Sequence, residues 1–229
     1  MIVRKWEKLP ECMRADEVRP YYDILRKKPV SLFFKRAFDI VLSVIMLILC
    51  ALPMIIIAIL IKCDSKGPVF YRQERVTTYG KKFRIHKFRT MVNNADKIGT
   101  AVTVGSDARI TKIGKKLRGV RLDELPQLLD VLAGTMSFVG TRPEAVKYVE
   151  KYKPEYYATL LLPAGITSEA SIRYKDEDTL LNAADVVDRV YVEEVLPDKM
   201  KWNLESIRRF SFGRDVLTMF RTVIAVIHK

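Results

Sequence analysis

Residues Ile40 to Ile61 read IVLSVIMLILCALPMIIIAILI, 22 positions without one Asp, Glu, Lys, Arg or His. At about 1.5 Å per residue, a continuous helix of that length reaches ~33 Å, close to the thickness of a bilayer's hydrocarbon core. The run starts far from Met1 and no small-residue cleavage site follows it, which argues against a cleaved leader. It predicts a membrane segment.

The flanks bear on how that segment sits. Lys35-Arg36 precede it, and Lys62 and Lys66 follow it. The first 39 residues carry ten Lys+Arg and six Asp+Glu, leaving 30 and 21 for residues 62–229. Both sides are therefore basic, and basic flanks prefer the cytoplasmic side. Pro53, near the middle, removes one helical hydrogen bond and crowds the preceding turn. Two arrangements remain open from the residues alone: a kinked spanning helix, or a helix broken at Pro53 that re-enters its own leaflet.

Working outward, 229 residues with 49% hydrophobic content suit one domain plus a membrane element and exclude a disordered chain. Ten Gly and ten Pro exclude a collagenous one. A net charge of +13 points to a polyanionic partner: an anionic membrane surface, phosphorylated substrates or nucleic acid. Cys12, Cys50 and Cys63 lack CxxC spacing, so a disulfide framework or zinc site is not expected. His86 reads as structural or surface-exposed.

The expected fold class is α+β, mostly helical. Residues 1–34, with Pro10, Pro20 and Pro29 as breakers, read as a peripheral extension, residues 35–62 as the membrane helix, and residues 63–229 as a cytoplasmic unit. Gly67 to Phe88 holds β-like runs around the turn Thr77-Thr78-Tyr79-Gly80. Residues 92–108 read as a loop. Leu125, Leu128, Leu129 and Leu132 predict a helix over Asp123–Ala133 with Gly134 as its C-cap. Pro126 fits only in a first turn, which puts Asp123-Glu124 at the helix N-terminus. Glu144–Leu162 reads as helical with Pro154 as a break, and its tyrosines (148, 152, 156, 157) as packing residues. Asp176-Glu177-Asp178 reads as a solvated loop. The basic and aromatic stretch Lys201–Lys229 fits either an interfacial helix or a core helix with a solvated face.

One stretch stands out chemically. Arg109, Lys112, Lys115, Lys116, Arg118 and Arg121 place six cations within 13 residues, separated from Asp123-Glu124 only by Leu122. Such cations seat phosphate oxygens, and the carboxylates can hold a divalent metal or attack phosphorus. A solvated basic face followed by an acidic helix cap has the same appearance. Lys87-Phe88-Arg89-Thr90-Met91 is a second, weaker phosphate-binding candidate.

Taken in order, Lys35-Arg36…Asp39, Gly67-Pro68…Phe70, Gln73-Glu74-Arg75, Lys87-Phe88-Arg89-Thr90-Met91, Leu122-Asp123-Glu124-Leu125-Pro126-Gln127-Leu128 and Val139-Gly140…Arg142-Pro143-Glu144 resemble the bacterial sugar transferases, the small monotopic phosphoglycosyl transferases. The resemblance covers about residues 31–170 well. It implies transfer of a sugar-1-phosphate from a UDP-sugar to a polyprenyl phosphate, such as undecaprenyl phosphate, with release of UMP. It implies Asp123 as nucleophile through a covalent phosphosugar intermediate, and Glu124 as a Mg²⁺ ligand. Lys87, Arg89, Arg118, Arg142 and Pro143 fall at its substrate-binding positions. It also implies a re-entrant helix broken at Pro53, the bacterial inner membrane with the catalytic domain on the cytoplasmic face, membrane lipids as partners and no nucleic acid.

Three positions depart from the pattern. Thr141 replaces the first proline of Pro-Arg-Pro, Thr77 replaces a glycine, and Pro163–Ile172 diverges after Thr167. The alternative from another class is a membrane-tethered basic protein that binds nucleic acid or anionic lipid without catalysis, which leaves Asp123-Glu124 without a role.

Overall fold

The computed structural model describes residues 1–93, 95, 108–174 and 187–227. The 92–108 stretch lies mostly, and Asp176-Glu177-Asp178 wholly, outside them.

Two helices open the chain, α1 (Arg19–Arg26) and α2 (Pro29–Asp64). A hairpin follows, β1 (Phe70–Val76) antiparallel to β2 (Lys82–Phe88), in register from Phe70 opposite Phe88 to Val76 opposite Lys82. Its turn takes left-handed backbone at Tyr79 (φ 59°) and Gly80 (φ 73°). Next come α3 (Lys112–Gly119), a 3₁₀ turn at Leu122–Glu124, α4 (Gln127–Ala133) and β3 (Met136–Val139). After α5 (Val146–Val149) and a 3₁₀ helix at Pro154–Leu161, β4 (Ala164–Thr167) pairs parallel to β3. The chain closes with α6 (Glu169–Arg173), α7 (Val187–Val190), a π turn, α8 (Leu196–Arg208) and α9 (Phe212–Ile227).

Residues 1–34 are not a peripheral extension. Leu9, Met13, Val18, Tyr21, Tyr22, Leu25 and Leu32 are buried in the main core together with Tyr148, Tyr152 and Tyr156 and with Leu196, Met200, Leu204 and Ile207 of α8. The three prolines punctuate this segment without making it polar throughout, and its apolar residues between the breaks have a core to fill. Trp6 meets Tyr22 edge-on at 5.0 Å, which fixes the N-terminal turns.

α2 runs continuously through Pro53, so helical backbone is not interrupted there. One lost hydrogen bond does not unwind a helix whose other backbone bonds persist. The Ser43 hydroxyl donates to the Ile40 carbonyl and so leaves the Leu49 carbonyl to others.

Both ends of α2 dock on the rest of the fold. Near its start, Lys35 Nζ donates to Val139 O and to Asp215, each at 2.6 Å, and Arg36 donates to the Val131 and Leu132 carbonyls at the end of α4. Asp39 accepts from Ser137 Oγ and Phe138 N. Near its end, Ile57 and Ile61 pack with Phe88 and Leu117, and Asp64 accepts from Ile113 N at 2.9 Å. No residue from Val44 to Ile56 is buried.

The expected helix over Asp123–Ala133 divides. Pro126 has no N–H to donate, so the chain makes a 3₁₀ turn at Leu122–Glu124 and α4 begins only at Gln127. Gly134 caps α4 with φ 83°. Glu144–Leu162 is α-helical only over α5, with Pro154 starting a 3₁₀ helix. The C-terminal stretch divides as well: α8 lies in the core, whereas Leu217, Phe220, Val223 and Ile224 of α9 are exposed.

Candidate active site

Three elements deliver the site. Thr111 caps α3 by accepting from Gly114 N. Gly114 is required there, because a Cβ would lie 2.0 Å from the Thr90 carbonyl oxygen. α3 carries Arg118 and ends in a reversal at Arg121, a non-glycine residue in left-handed backbone (φ 59°) directly before the dyad. Such conformations cost free energy and persist only where the surroundings hold them. Behind the dyad, β2 supplies Lys87, and the loop after β3 supplies Arg142.

Glu124 is the engaged carboxylate. Arg142 donates to both of its oxygens, and Lys87 Nζ lies 3.2 Å from Oε1. Burial pushes its carboxyl up, but Arg142 and Lys87 outweigh burial and hold it well below the usual range. Asp123, 8% exposed, is the opposite case. Burial pushes its carboxyl up and Glu124 adds to that, against the attraction of Lys87, Arg118 and Arg142. Lys87 is itself pushed down by burial, opposed by Glu124. Adjacent carboxylates thus acquire different characters from their surroundings: one tied into an ion-pair network, the other buried with its carboxyl pushed up.

The structure therefore brings Lys87, Arg118, Asp123, Glu124 and Arg142 together. Pro143 separates Arg142 from Glu144, whose carboxylate turns to the core and accepts from Tyr191 Oη at 2.7 Å and Lys199 Nζ at 3.3 Å. Arg89 is elsewhere. At 5% exposure, its guanidinium donates to the Ser65 and Lys66 carbonyls and tethers β2 to the end of α2. Pro53 lies in the uncovered part of α2.

Sequence reasoning assigned no role to Arg75. It shares a strand face with Tyr71, opposite Lys87, and its charge acts on Lys87 within this cluster. Strand alternation over Gln73-Glu74-Arg75 was the available signal. His86 is structural, with Nδ1 2.8 Å from Asp130 Oδ1.

The departures from the family pattern have identifiable places. Thr77 Oγ1 donates to Thr135 O and accepts from Ala164 N, joining the hairpin turn to the second sheet. Thr141 O accepts from Gly165 N. The divergent stretch after Thr167 forms α6. Its Glu169 meets Thr218 and Arg221 of α9 and not the dyad.

Among the described residues no group of three or more His, Cys, Asp and Glu converges. Carboxylate oxygens are the donor type Mg²⁺ takes alongside waters and substrate phosphates, and the two of Glu124 already accept from Arg142 and Lys87.

Residues 30–229 match the family described as bacterial sugar transferase. The chain belongs to that family. Among relatives of this chain is the UDP-N-acetylgalactosamine-undecaprenyl-phosphate N-acetylgalactosaminephosphotransferase of Aeromonas hydrophila, 35% identical over 89% of this chain and 46% of the relative. Another is the UDP-glucose:undecaprenyl-phosphate glucose-1-phosphate transferase of Escherichia coli (strain K12), 38% identical over 93% of this chain and 44% of the relative. A protein with the same name from Caulobacter vibrioides is 34% identical over 82% of this chain and 68% of its own length. The chain spans a little under half the length of the first two.

Proposed function

We propose that this chain transfers a sugar-1-phosphate from a UDP-sugar to a membrane polyprenyl phosphate such as undecaprenyl phosphate, releasing UMP, as an early membrane step of surface glycan assembly. The observation that carries the proposal is a carboxylate pair surrounded by Lys87, Arg118 and Arg142, on a body that also holds both ends of an apolar helix. Phosphoryl transfer needs positioning and charge neutralisation more than covalent chemistry from the protein, and these side chains supply both.

In the mechanism we propose, a carboxylate oxygen of Asp123 attacks the β-phosphorus of the donor. The bond from that phosphorus to the bridging oxygen breaks, and UMP leaves with the electron pair. A phosphate oxygen of the acceptor lipid then attacks the same phosphorus, and the Asp123 carboxylate departs. Lys87, Arg118 and Arg142 neutralise the diphosphate, and Glu124 holds Arg142 and Lys87 in position. Mg²⁺, bound through Glu124 together with the donor's diphosphate, would supply further neutralisation of the leaving group's charge.

The proposed topology is re-entrant, with α2 bent rather than unwound at Pro53 and the catalytic body on the cytoplasmic face. α2 is long and apolar enough to cross a bilayer, but both of its ends are docked on the same body. A spanning arrangement pulls one docked end away from the body to which the other end is bound. The exposed apolar residues of α9 favour placement in the interface.

The test is to incubate the purified full chain with a panel of UDP-sugars, polyprenyl phosphate and Mg²⁺. UMP release and a phosphosugar mass adduct in the absence of acceptor are expected. No release with any donor overturns the reading.

A further inference from the structure

A cavity of about 390 Å³ lies behind the loop that carries Arg142, between the end of β3 and helices α6, α8 and α9. Its volume falls within the ~300–1,000 Å³ of small-ligand sites. Charge is unevenly matched in its wall. Asp215 pairs with Lys35, Glu169 with Arg221, and Glu205 with Arg209. Among the described residues this leaves the guanidiniums of Arg173 and Arg214 without a carboxylate, the first stacked over the Trp202 ring at 3.6 Å. The wall also contains Asn203, 4% exposed, whose Oδ1 has no hydrogen-bond partner. Among the described residues no protein group donates to that amide oxygen, so an ordered water or a bound molecule can supply the donor.

Position narrows the ligand. Arg214, Thr218 and Arg221 follow helical spacing and turn one face of α9 to the cavity, whereas Phe220, Val223 and Ile224 are exposed. Phe34 and Phe212, with ring centroids 6.2 Å apart, extend this apolar surface onto α2. The cavity is thus one helix away from a surface suited to lipid, at the level where arginines reach for headgroup phosphates.

We infer that this cavity binds the headgroup of an anionic glycerophospholipid, its phosphate between Arg173 and Arg214 and a headgroup hydroxyl donating to Asn203. A polyprenyl phosphate brings the phosphate but no alcohol hydroxyl beside it. The inference does not rest on the chemistry proposed at Asp123.

The chain has two tryptophans, Trp6 and Trp202, so Trp6→Phe leaves one reporter in the cavity wall. The full chain is reconstituted in vesicles of one fixed phosphatidylglycerol and phosphatidylcholine mixture, with acyl bromines placed on one lipid or the other. Because surface charge is identical, only selective residence distinguishes them. At least twofold stronger quenching of Trp202 by brominated phosphatidylglycerol is expected, as is loss of that preference in Arg173→Gln/Arg214→Gln. Equal quenching by the two lipids overturns the inference, and so does full preference in the double variant. Relief of the quenching by added polyprenyl phosphate would reassign the cavity to the acceptor and overturn the phospholipid assignment.

Discussion

Arg142 and Glu124 form a two-pronged ion pair, with Nη1 3.3 Å from Oε2 and Nη2 2.5 Å from Oε1, while Asp123, one residue earlier, lies outside that grip. The pair joins the loop after β3 to the 3₁₀ turn and engages Glu124 rather than Asp123. Arg142→Lys retains the charge but loses the fork. UMP release should fall about 100-fold or more, equivalent to ~2.7 kcal/mol of transition-state stabilisation. Glu124→Gln should do the same. EDTA should abolish wild-type release and Mg²⁺ restore it; full activity in EDTA would remove the metal from the mechanism.

Asp123→Asn should abolish turnover and the phosphosugar adduct, because an amide does not attack phosphorus. It should also leave stability at neutral pH unchanged or raised. Burial raises the Asp123 carboxyl, so its contribution to stability is full below the unfolded-state pKa and is lost as pH rises through the folded one. Removing the ionisable group removes that loss. A clear drop in melting temperature at pH 7, with a retained adduct, would contradict the assignment.

The same shifts set the pH profile of adduct formation. As the proposed nucleophile Asp123 has to be ionised, and its raised pKa moves the acid limb above the ordinary carboxylate range near 4. Lys87 must be charged, and burial moves its limb below the ordinary lysine value near 10.4. Glu124 has the opposite sign from Asp123: its stabilising contribution is present above the unfolded value and lost only in strong acid. Single-turnover mass spectrometry across pH should give a bell narrowed from both sides.

Gly165→Ala tests the loop without altering charge. A Cβ there would lie 2.2 Å from the backbone N and O of Gly140, two residues before Arg142. Relief of that clash displaces the loop. We expect stability to fall by about 1–3 kcal/mol, and activity to fall further than that loss explains. Activity equal to wild type would show that Arg142 does not depend on this close approach.

Docking of α2 rests on a buried charge. Lys35→Met leaves Asp215 and the Val139 carbonyl without their donor and should destabilise the fold in detergent by about 3–5 kcal/mol. Lys35→Met with Asp215→Leu should recover much of it. In intact cells, single cysteines at residues 30 and 66, in a background without Cys12, Cys50 and Cys63, should both resist labelling by an impermeant reagent. Labelling of residue 30 from outside would rule out the re-entrant topology.

Much of this was decided by the local chain. An apolar run without a charge favours an environment away from water whatever surrounds it, and Asp123-Glu124 are neighbours by covalent connection. The β1–β2 hairpin and the Gly134 cap follow from alternation and left-handed backbone, both short-range effects. Residue type could not say which neighbours would compete for a side chain. Arg89 has the composition of a phosphate ligand, yet the carbonyls at the end of α2 take its donors. The N-terminal 34 residues look polar and interrupted, yet their few apolar side chains find the core. Arg75, Lys87 and Arg142 meet only because two strands and a distant loop converge. That convergence also separates the two acids, since burial and opposing charge act through space and depend on tertiary distance rather than on position in the chain.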